Sequence, residues 1–491
     1  MRKQIGALAG IITVLTSCGG GGSDSGGNIA TVPPSAPTPA PPPPTSTAGC
    51  SVTERQNWVA GEMDTYYLFP DLLPANRNPA GYSTVQDYID YLTATARAQG
   101  KDRYFTHITS IAEENAYYQS GSNAGIGVRL ALAPDSRLYV LESFESAPAY
   151  AAGMDRGTEI VAIGTTSSNL RNVADIYATE GDAGINNALG PSEAGVSRYY
   201  RIRKTDGPET VVQVTKSEYS LKAVSSRYGA KIINDGGRKV AYVNLRTFIE
   251  NAEQPLTEAF AEFRSQGIND IVVDLRYNGG GLIFVAETFG NLLGGGRSGS
   301  DVFTYTTYRA SLSNNNQQTN FKPQPQSIAP MKIAFIGRGG TASASELLMN
   351  SFIPYLGTNA ALIGTNTYGK PVGQIARDRP QCDDRLRVVA LRTENADRQG
   401  DYYNGLANVM KTTCVAADDI SFQMGDPREA STKQALDFLA GRVTCTPIST
   451  ASTSRAGTTT LGGTQQVALG QMKLLTPRMP SAPQRETPGL Y

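Results

Sequence analysis

A hydroxyl, an amine and a run of glycines carry the chemistry available to this sequence. The hydroxyl lies in Thr341-Ala342-Ser343-Ala344-Ser345-Glu346. An apolar, strand-like run at 332–336 and a turn at 337–340 precede it. Leu347, Leu348, Met349, Phe352 and Ile353 follow, on one helical face. A small residue at a strand-to-helix turn sits beside unpaired backbone N–H groups and the positive end of a helix dipole. Such donors suit the oxyanion formed in acyl transfer. Ser343-x-x-Glu346 is also a capping box, which many helices use with no chemistry attached. The amine is Lys370, in Tyr368-Gly369-Lys370-Pro371-Val372-Gly373-Gln374. A serine nucleophile needs a base, and the single histidine, His107, is far along the chain in a segment read as helical. Lysine is the usual substitute. Between Glu346 and Asp378 there is no carboxylate, so no sequence neighbour holds Lys370 charged. Desolvation there favours the neutral amine, the form that can take a proton.

Further motifs stand around this pair in a definite order. They are Asp102-Arg103-Tyr104-Phe105-Thr106, Gly125-Ile126-Gly127-Val128 and Asp274-Leu275-Arg276-Tyr277-Asn278-Gly279-Gly280-Gly281. With the Ser343 hexapeptide and Gly369-Lys370, they resemble the successive elements of the carboxyl-terminal processing peptidases, or tail-specific proteases, which use a Ser-Lys dyad. The resemblance covers about 102–439. It implies an α/β fold: a ClpP/crotonase-like catalytic core, an inserted mostly-β PDZ domain and a small helical N-terminal region. It further implies Ser343 as nucleophile, Lys370 as base and Gln374 as the residue positioning the lysine amine. Gly280, or its neighbour Gly279, and the Ala344 N–H would be the oxyanion donors. Gly125, Ile126, Gly127 and Val128 would form the loop that binds a peptide carboxylate. Pro371-Val372 departs from the small Gly-Thr pair commoner after the family's lysine.

The elements that must position these groups can be traced along the chain. Helical patterns run through Trp58, Val59, Met63 and Tyr66, then Val85, Tyr88, Ile89 and Leu92, giving a helical region at 50–110. Strand-like runs at 126–132, 138–142, 159–163, 199–202 and 210–215 give a β-rich segment, which the resemblance implies is a PDZ-like domain at 111–219. A groove of that kind adds a peptide to a sheet edge as a strand. Short apolar runs at 240–243, 271–275, 333–336 and 361–363 alternate with helical periodicity at 255–266 and 282–293, giving an α/β core with parallel pairing at 220–445. Catalytic groups of such sheets gather beyond the carboxyl ends of the strands, where the 278–281 loop can approach Ser343. The polar stretch 298–330 is expected to be a surface insertion. The Ser-, Thr-, Gly- and Pro-rich 446–491 is expected to be disordered.

Arg2 and Lys3, an apolar run at 5–15 and Leu15-Thr16-Ser17-Cys18 form a secretory signal at 1–18. Its cysteine resembles the lipidated residue of bacterial lipoproteins. Gly19 and Gly20 resemble the outer-membrane form, which implies an outer-membrane lipoprotein facing the periplasm or the cell surface, anchored to the bilayer through Cys18. The Gly/Ser/Pro-rich 19–49 is expected to be a disordered linker. Forty-four basic and forty-four acidic residues leave no net charge, which disfavours nucleic acid as a partner. The remaining cysteines, Cys50, Cys382, Cys414 and Cys445, suit two disulfides in an oxidising compartment. Because domain ends are often close in space, the expected pairing is Cys382–Cys414 and Cys50–Cys445. One histidine and no Cys-x-x-Cys pair disfavour a metal site, and no cofactor is expected. The expected activity is a serine endopeptidase acting on exported proteins or peptides with accessible C-terminal tails. The competing readings are a non-hydrolytic binding or carrier protein that retains the fold, and a crotonase-like acyl-transfer enzyme.

Overall fold

The computed structural model describes residues 48–205, 207–442, 444–449 and 472–491. The expected signal with Cys18, and the linker up to residue 47, lie outside the described residues. The first helix, α1 (Val52–Tyr66), starts at a Ser51 capping box closed by Glu54. The second, α2 (Val85–Leu92), is capped by Thr84 and buries Val85, Tyr88, Ile89 and Leu92. Both pack against Leu386, Val388 and Val389 of a later strand. His107 is not helical, as its segment was read; it opens strand β1 (His107–Ser110). The adjacent β-branched residues Ile108 and Thr109 favour a pleated, half-buried surface there.

A mostly antiparallel sheet follows, made of β2 (Val128–Leu132), β3 (Leu138–Ser143), β4 (Glu159–Gly164), β5 (Ser197–Arg203) and β6 (Glu209–Thr215), neighbours in that order. Helix α3 (Val173–Leu189) covers it, and Leu130, Val140, Ile160 and Ile202 share a core with Ile176, Ile185 and Leu189. Gly127, at φ +75°, lets the chain turn into β2 where any side chain would overlap the Ala147 methyl.

The central sheet contains β7 (Ala230–Asp235), β8 (Arg238–Asn244) and β9 (Asp270–Asp274). A second sheet contains the hairpin β10 (Val302–Tyr308) and β11 (Gln317–Asn320). The central sheet continues with β12 (Lys332–Gly337) and β13 (Ala360–Gly364). The second sheet adds β14 (Val372–Arg379) and β15 (Asp384–Glu394), with β1 at its edge, and β16 (Thr412–Val415) completes the central one. Central-sheet order is β7-β8-β9-β12-β13-β16, parallel throughout except for β7 with β8. Strand period places Val243, Ile271, Val273, Phe335 and Leu362 on one face. They pack against helices α4 (Glu253–Ser265), α5 (Ile283–Leu293) and α6 (Ala344–Leu356). Val240, Val272, Ala334 and Ile363 face helix α7 (Ala430–Ala440) on the other side. Both faces are covered, as short apolar parallel strands require. Among the described residues no helix is long and apolar enough to cross a membrane.

Two further expectations are corrected, and a third gains detail. The polar stretch 298–330 lies largely at the surface, as expected, but it is built into a sheet. Its hairpin joins the second sheet through β15, and its buried Phe303 and Phe321 meet edge-on at 5.2 Å, anchoring it against Phe352 of α6. The disulfides are Cys50–Cys382 and Cys414–Cys445, with Cα separations of 5.6 and 4.7 Å, not Cys382–Cys414 and Cys50–Cys445. Arg55 of α1 pairs with Asp384 of β15, which brings Cys50 to the turn before β15; Cys414, in β16, meets the chain leaving α7. Finally, residues 472–491 are ordered. They form β17 (Lys473–Leu474), paired antiparallel with β2, and a short helix α8 (Ala482–Glu486), and they bury Leu475, Leu490 and Tyr491. Composition missed this because a few apolar anchors and backbone hydrogen bonds hold the segment, with no periodic pattern.

Candidate active site

Strand β12 delivers the chain to a tight turn, and Ser343 is the last residue before α6. Its backbone, at φ +55° and ψ −116°, lies where side chains are rarely tolerated, at a cost of about 1–3 kcal/mol. The surroundings hold it there. Its N–H donates to the Glu346 carboxylate (3.1 Å), and its carbonyl accepts from Leu347 N–H (2.8 Å). Gly280, at φ +122°, packs directly on it; a Cβ added to Gly280 would lie 2.7 Å from the Ser343 Cβ. Asn278 ties the two loops together. Its Nδ2 donates to the Leu245 carbonyl (2.8 Å), while its own carbonyl accepts from Ala342 N–H (3.0 Å) and the Ser345 hydroxyl (3.0 Å). Ser345 is thus buried and engaged, whereas Ser343 lines a cavity of about 220 Å³.

The donors expected for the oxyanion are placed unevenly. Gly280 N–H donates to the Asn278 side-chain oxygen (2.9 Å), so it is not the group presented outward. Gly279 N–H donates to a peptide carbonyl, that of Glu486 (3.0 Å). Ala344 N–H belongs to the first turn of α6, whose leading N–H groups have no intrahelical acceptor. Gly279 and Ala344 are therefore the better-placed pair.

Lys370 lines the same cavity as Ser343. Its amine donates to Gln374 Oε1 (2.8 Å), and Gln374 Nε2 donates to the Phe105 carbonyl (2.7 Å). That carbonyl also faces His107 Nδ1 at 2.8 Å; since a carbonyl only accepts, Nδ1 carries the proton. Burial holds the His107 pKa well below its ordinary value, so the ring is neutral. Asp102 fixes this loop by accepting from Phe105 N–H (2.8 Å), the Thr106 hydroxyl (2.6 Å) and the Tyr67 hydroxyl (2.9 Å). Burial lowers the Lys370 pKa, and the carboxylates of Glu486 and Asp102 oppose the shift. No carboxylate neighbours Lys370 in sequence, but the fold brings two toward it.

Glu346 joins the two halves. Its buried carboxylate accepts from the Thr367 hydroxyl (2.6 Å), Gly369 N–H (2.7 Å), Lys370 N–H (2.7 Å) and Ser343 N–H. Burial raises its pKa and these bonds counter the rise. The sequence marked it only as a capping residue three positions after Ser343. Asn278, Asp102 and Phe105 appeared in motifs without a role; Glu486 had no signal at all. The four loop residues Gly125, Ile126, Gly127 and Val128 lie at the start of β2. Gly127 and Val128 N–H donate to an oxygen of Tyr491 (2.7 and 3.2 Å), and Tyr491 N–H donates to the Val128 carbonyl (2.9 Å). Ile126 is buried, with its carbonyl accepting from Ala149 N–H (2.9 Å), and Gly125 lies against the Tyr491 backbone. Among the described residues no group of three or more His, Cys, Asp or Glu could hold a metal ion.

Residues 239–399, which hold the 278–281 loop, Ser343, Lys370 and Gln374, match Peptidase family S41. The segment that carries the candidate site is thus similar to that family. A carboxyl-terminal-processing protease of a Picosynechococcus species is 27% identical over 335 residues, covering 68% of this chain and 74% of the relative. The Synechocystis protein of the same name is 24% identical, with 66% and 70% covered. A solved Bacteroides fragilis structure, whose S41 protease assignment is itself provisional, superposes with a TM-score of 0.61 at 21% identity. It covers 79% of this chain and 98% of its own, a likeness of fold. The chain is thus a serine-type peptidase of mixed α/β fold.

Proposed function

We propose that this chain is a peptidase of family S41 that cleaves peptide bonds of exported proteins with a Ser343–Lys370 dyad, and that a PDZ-type groove at β2 engages substrate tails. One observation carries the reading. A strained serine and a buried, Gln374-bound lysine line one cavity, with their backbones held by one carboxylate. In the neutral state Lys370 Nζ takes the Ser343 hydroxyl proton as Oγ bonds to the scissile carbonyl carbon. Gly279 and Ala344 N–H receive the oxyanion. The tetrahedral intermediate collapses, the C–N bond breaks, and the lysine ammonium returns the proton to the leaving amine. Water, deprotonated by the same lysine, then hydrolyses the ester. The antiparallel addition of residues 489–491 to β2, with Gly127 and Val128 donating to the Tyr491 oxygen, supports the groove reading.

The signal pattern ending at Cys18 supports a lipid anchor in the outer membrane, and the two disulfides support an oxidising compartment. Cys18→Ser should release the protein from the membrane fraction. The chemistry is tested with a fluorophosphonate probe and a labelled protein substrate. Wild type should label at Ser343, and Ser343→Ala and Lys370→Arg should neither label nor hydrolyse. An arginine stays protonated at every working pH, so an active Lys370→Arg variant would remove Lys370 as base.

A further inference from the structure

We propose that residues 472–491 are the resident ligand of the chain's own peptide groove and a strap that keeps substrate from the dyad. The proposal rests on the peptidase and groove reading above and names the regulation of that site. The strap is pinned twice to one edge of β2. At its first end Lys473 and Leu474 pair with Leu132 and Ala131, and Leu475 N–H donates to the Leu130 carbonyl (3.0 Å). At its second end Leu130 N–H donates to the Gly489 carbonyl (2.8 Å), Leu490 bridges Arg129, and Tyr491 occupies the Gly127–Val128 loop. The other edge of β2 is taken by β3, so no edge remains for an incoming peptide.

Between the pins, residues 476–488 reach over the catalytic residues. Ser481 and Gln484 start α8 with a capping box, Pro483 suits its first turn, and Pro488 lies beyond its end. The helix is seated firmly. Thr487 meets the Tyr117 hydroxyl (2.9 Å), Tyr118 donates to Glu486 (3.2 Å), and Gln484 donates to the Leu490 carbonyl (2.9 Å). Glu486 fills the Gly279 donor with its carbonyl, the position a scissile carbonyl needs. Arg485 and Glu486 wall the Ser343 cavity on one side and a second cavity, of about 1540 Å³, on the other. Lys370 and Gln374 face both cavities. Pockets that hold even small-molecule ligands usually measure roughly 300–1,000 Å³. The 220 Å³ left around Ser343 is too small, whereas the two spaces joined would suffice. The strap itself is no substrate in this state, because its residues at the site are helical, with Arg485 and Thr487 N–H bonded to Ser481 and Pro483 carbonyls.

Two full-length variants release the strap without touching the dyad. Gly489→Val places a side chain at φ +86°, within 2.9 Å of the Leu130 carbonyl, and Leu490→Asp/Tyr491→Asp puts charges in buried sites. A fluorescent peptide of residues 480–491 should bind both variants at least about tenfold more tightly than wild type, a difference of about 1.4 kcal/mol. Both variants should also hydrolyse a labelled unfolded protein several-fold faster, and the unlabelled peptide should slow them. Equal peptide binding by wild type and Gly489→Val, with the folding transition retained, would overturn the proposal. Differential binding with unchanged hydrolysis would overturn its inhibitory half. Differential binding with no hydrolysis or probe labelling by any form would uphold the strap as groove ligand and fault the peptidase chemistry instead.

Discussion

Ser345 donates its hydroxyl to Asn278 inside the core while Ser343 faces the cavity, so the two serines should respond differently to the same change. Ser343→Ala should lower hydrolysis by roughly 10³-fold or more. Ser345→Ala should mainly cost stability, about 1 kcal/mol for a lost hydrogen bond; activity assays and denaturant melts on both variants check this. Glu346→Gln is a sharper test of positioning. The amide presents N–H where Ser343 and Lys370 N–H already point, so kcat should fall on the order of 10²-fold, with KM less affected and the fold retained. The pH profile belongs at this scale too. Burial lowers the Lys370 pKa, Glu486 and Asp102 raise it, and Arg485 and Arg387 lower it. The neutral amine is the reactive form, so Ser343 labelling should rise with pH through that pKa, below the ordinary lysine value. Glu486→Gln removes a group that keeps the amine protonated, so the rising limb should move to lower pH. A limb that stays in place would mean that Glu486 does not act on Lys370.

Among elements, the turn between β9 and α5 is the most constrained. Gly280→Ala would add a methyl against the Ser343 Cβ at a backbone angle that resists side chains. It should cost about 1–3 kcal/mol of stability and most of the activity, read by melting and by probe labelling. This loop was legible in the sequence because its glycines stand between an apolar strand and a helix. The central strands were legible for a related reason: short apolar runs buried on both faces keep their pattern whatever the tertiary context. Ser343, Lys370 and Gln374 were legible as a motif set, and the Lys370–Gln374 contact was expected. The rest depended on long-range encounters. Nothing in the composition of 446–491 indicates that Leu490 and Tyr491 complete the edge of β2. Nor does the sequence say that Glu486 reaches Lys370, that Gly280 N–H turns to Asn278, or that His107 lies in a strand beside the site.

Over the whole molecule, two covalent links close rings of very different size. Cys50–Cys382 spans 332 residues and Cys414–Cys445 spans 31. On chain-entropy grounds the larger ring should stabilise by about 2 kcal/mol more than the smaller one. Replacing Cys50 and Cys382 by alanine should therefore lower the denaturation midpoint further than replacing Cys414 and Cys445. A larger drop for the second pair would show that local geometry around α7 outweighs ring size. The pairing has another consequence, in the order of synthesis. As the chain emerges from its N-terminus, Cys50 finds its partner in the next of these four cysteines to appear, and Cys414 likewise. Oxidation in order of appearance therefore yields the native links directly, and the nested alternative would have required reshuffling. Recovery of active protein should depend on a thiol oxidase and be indifferent to loss of a disulfide isomerase.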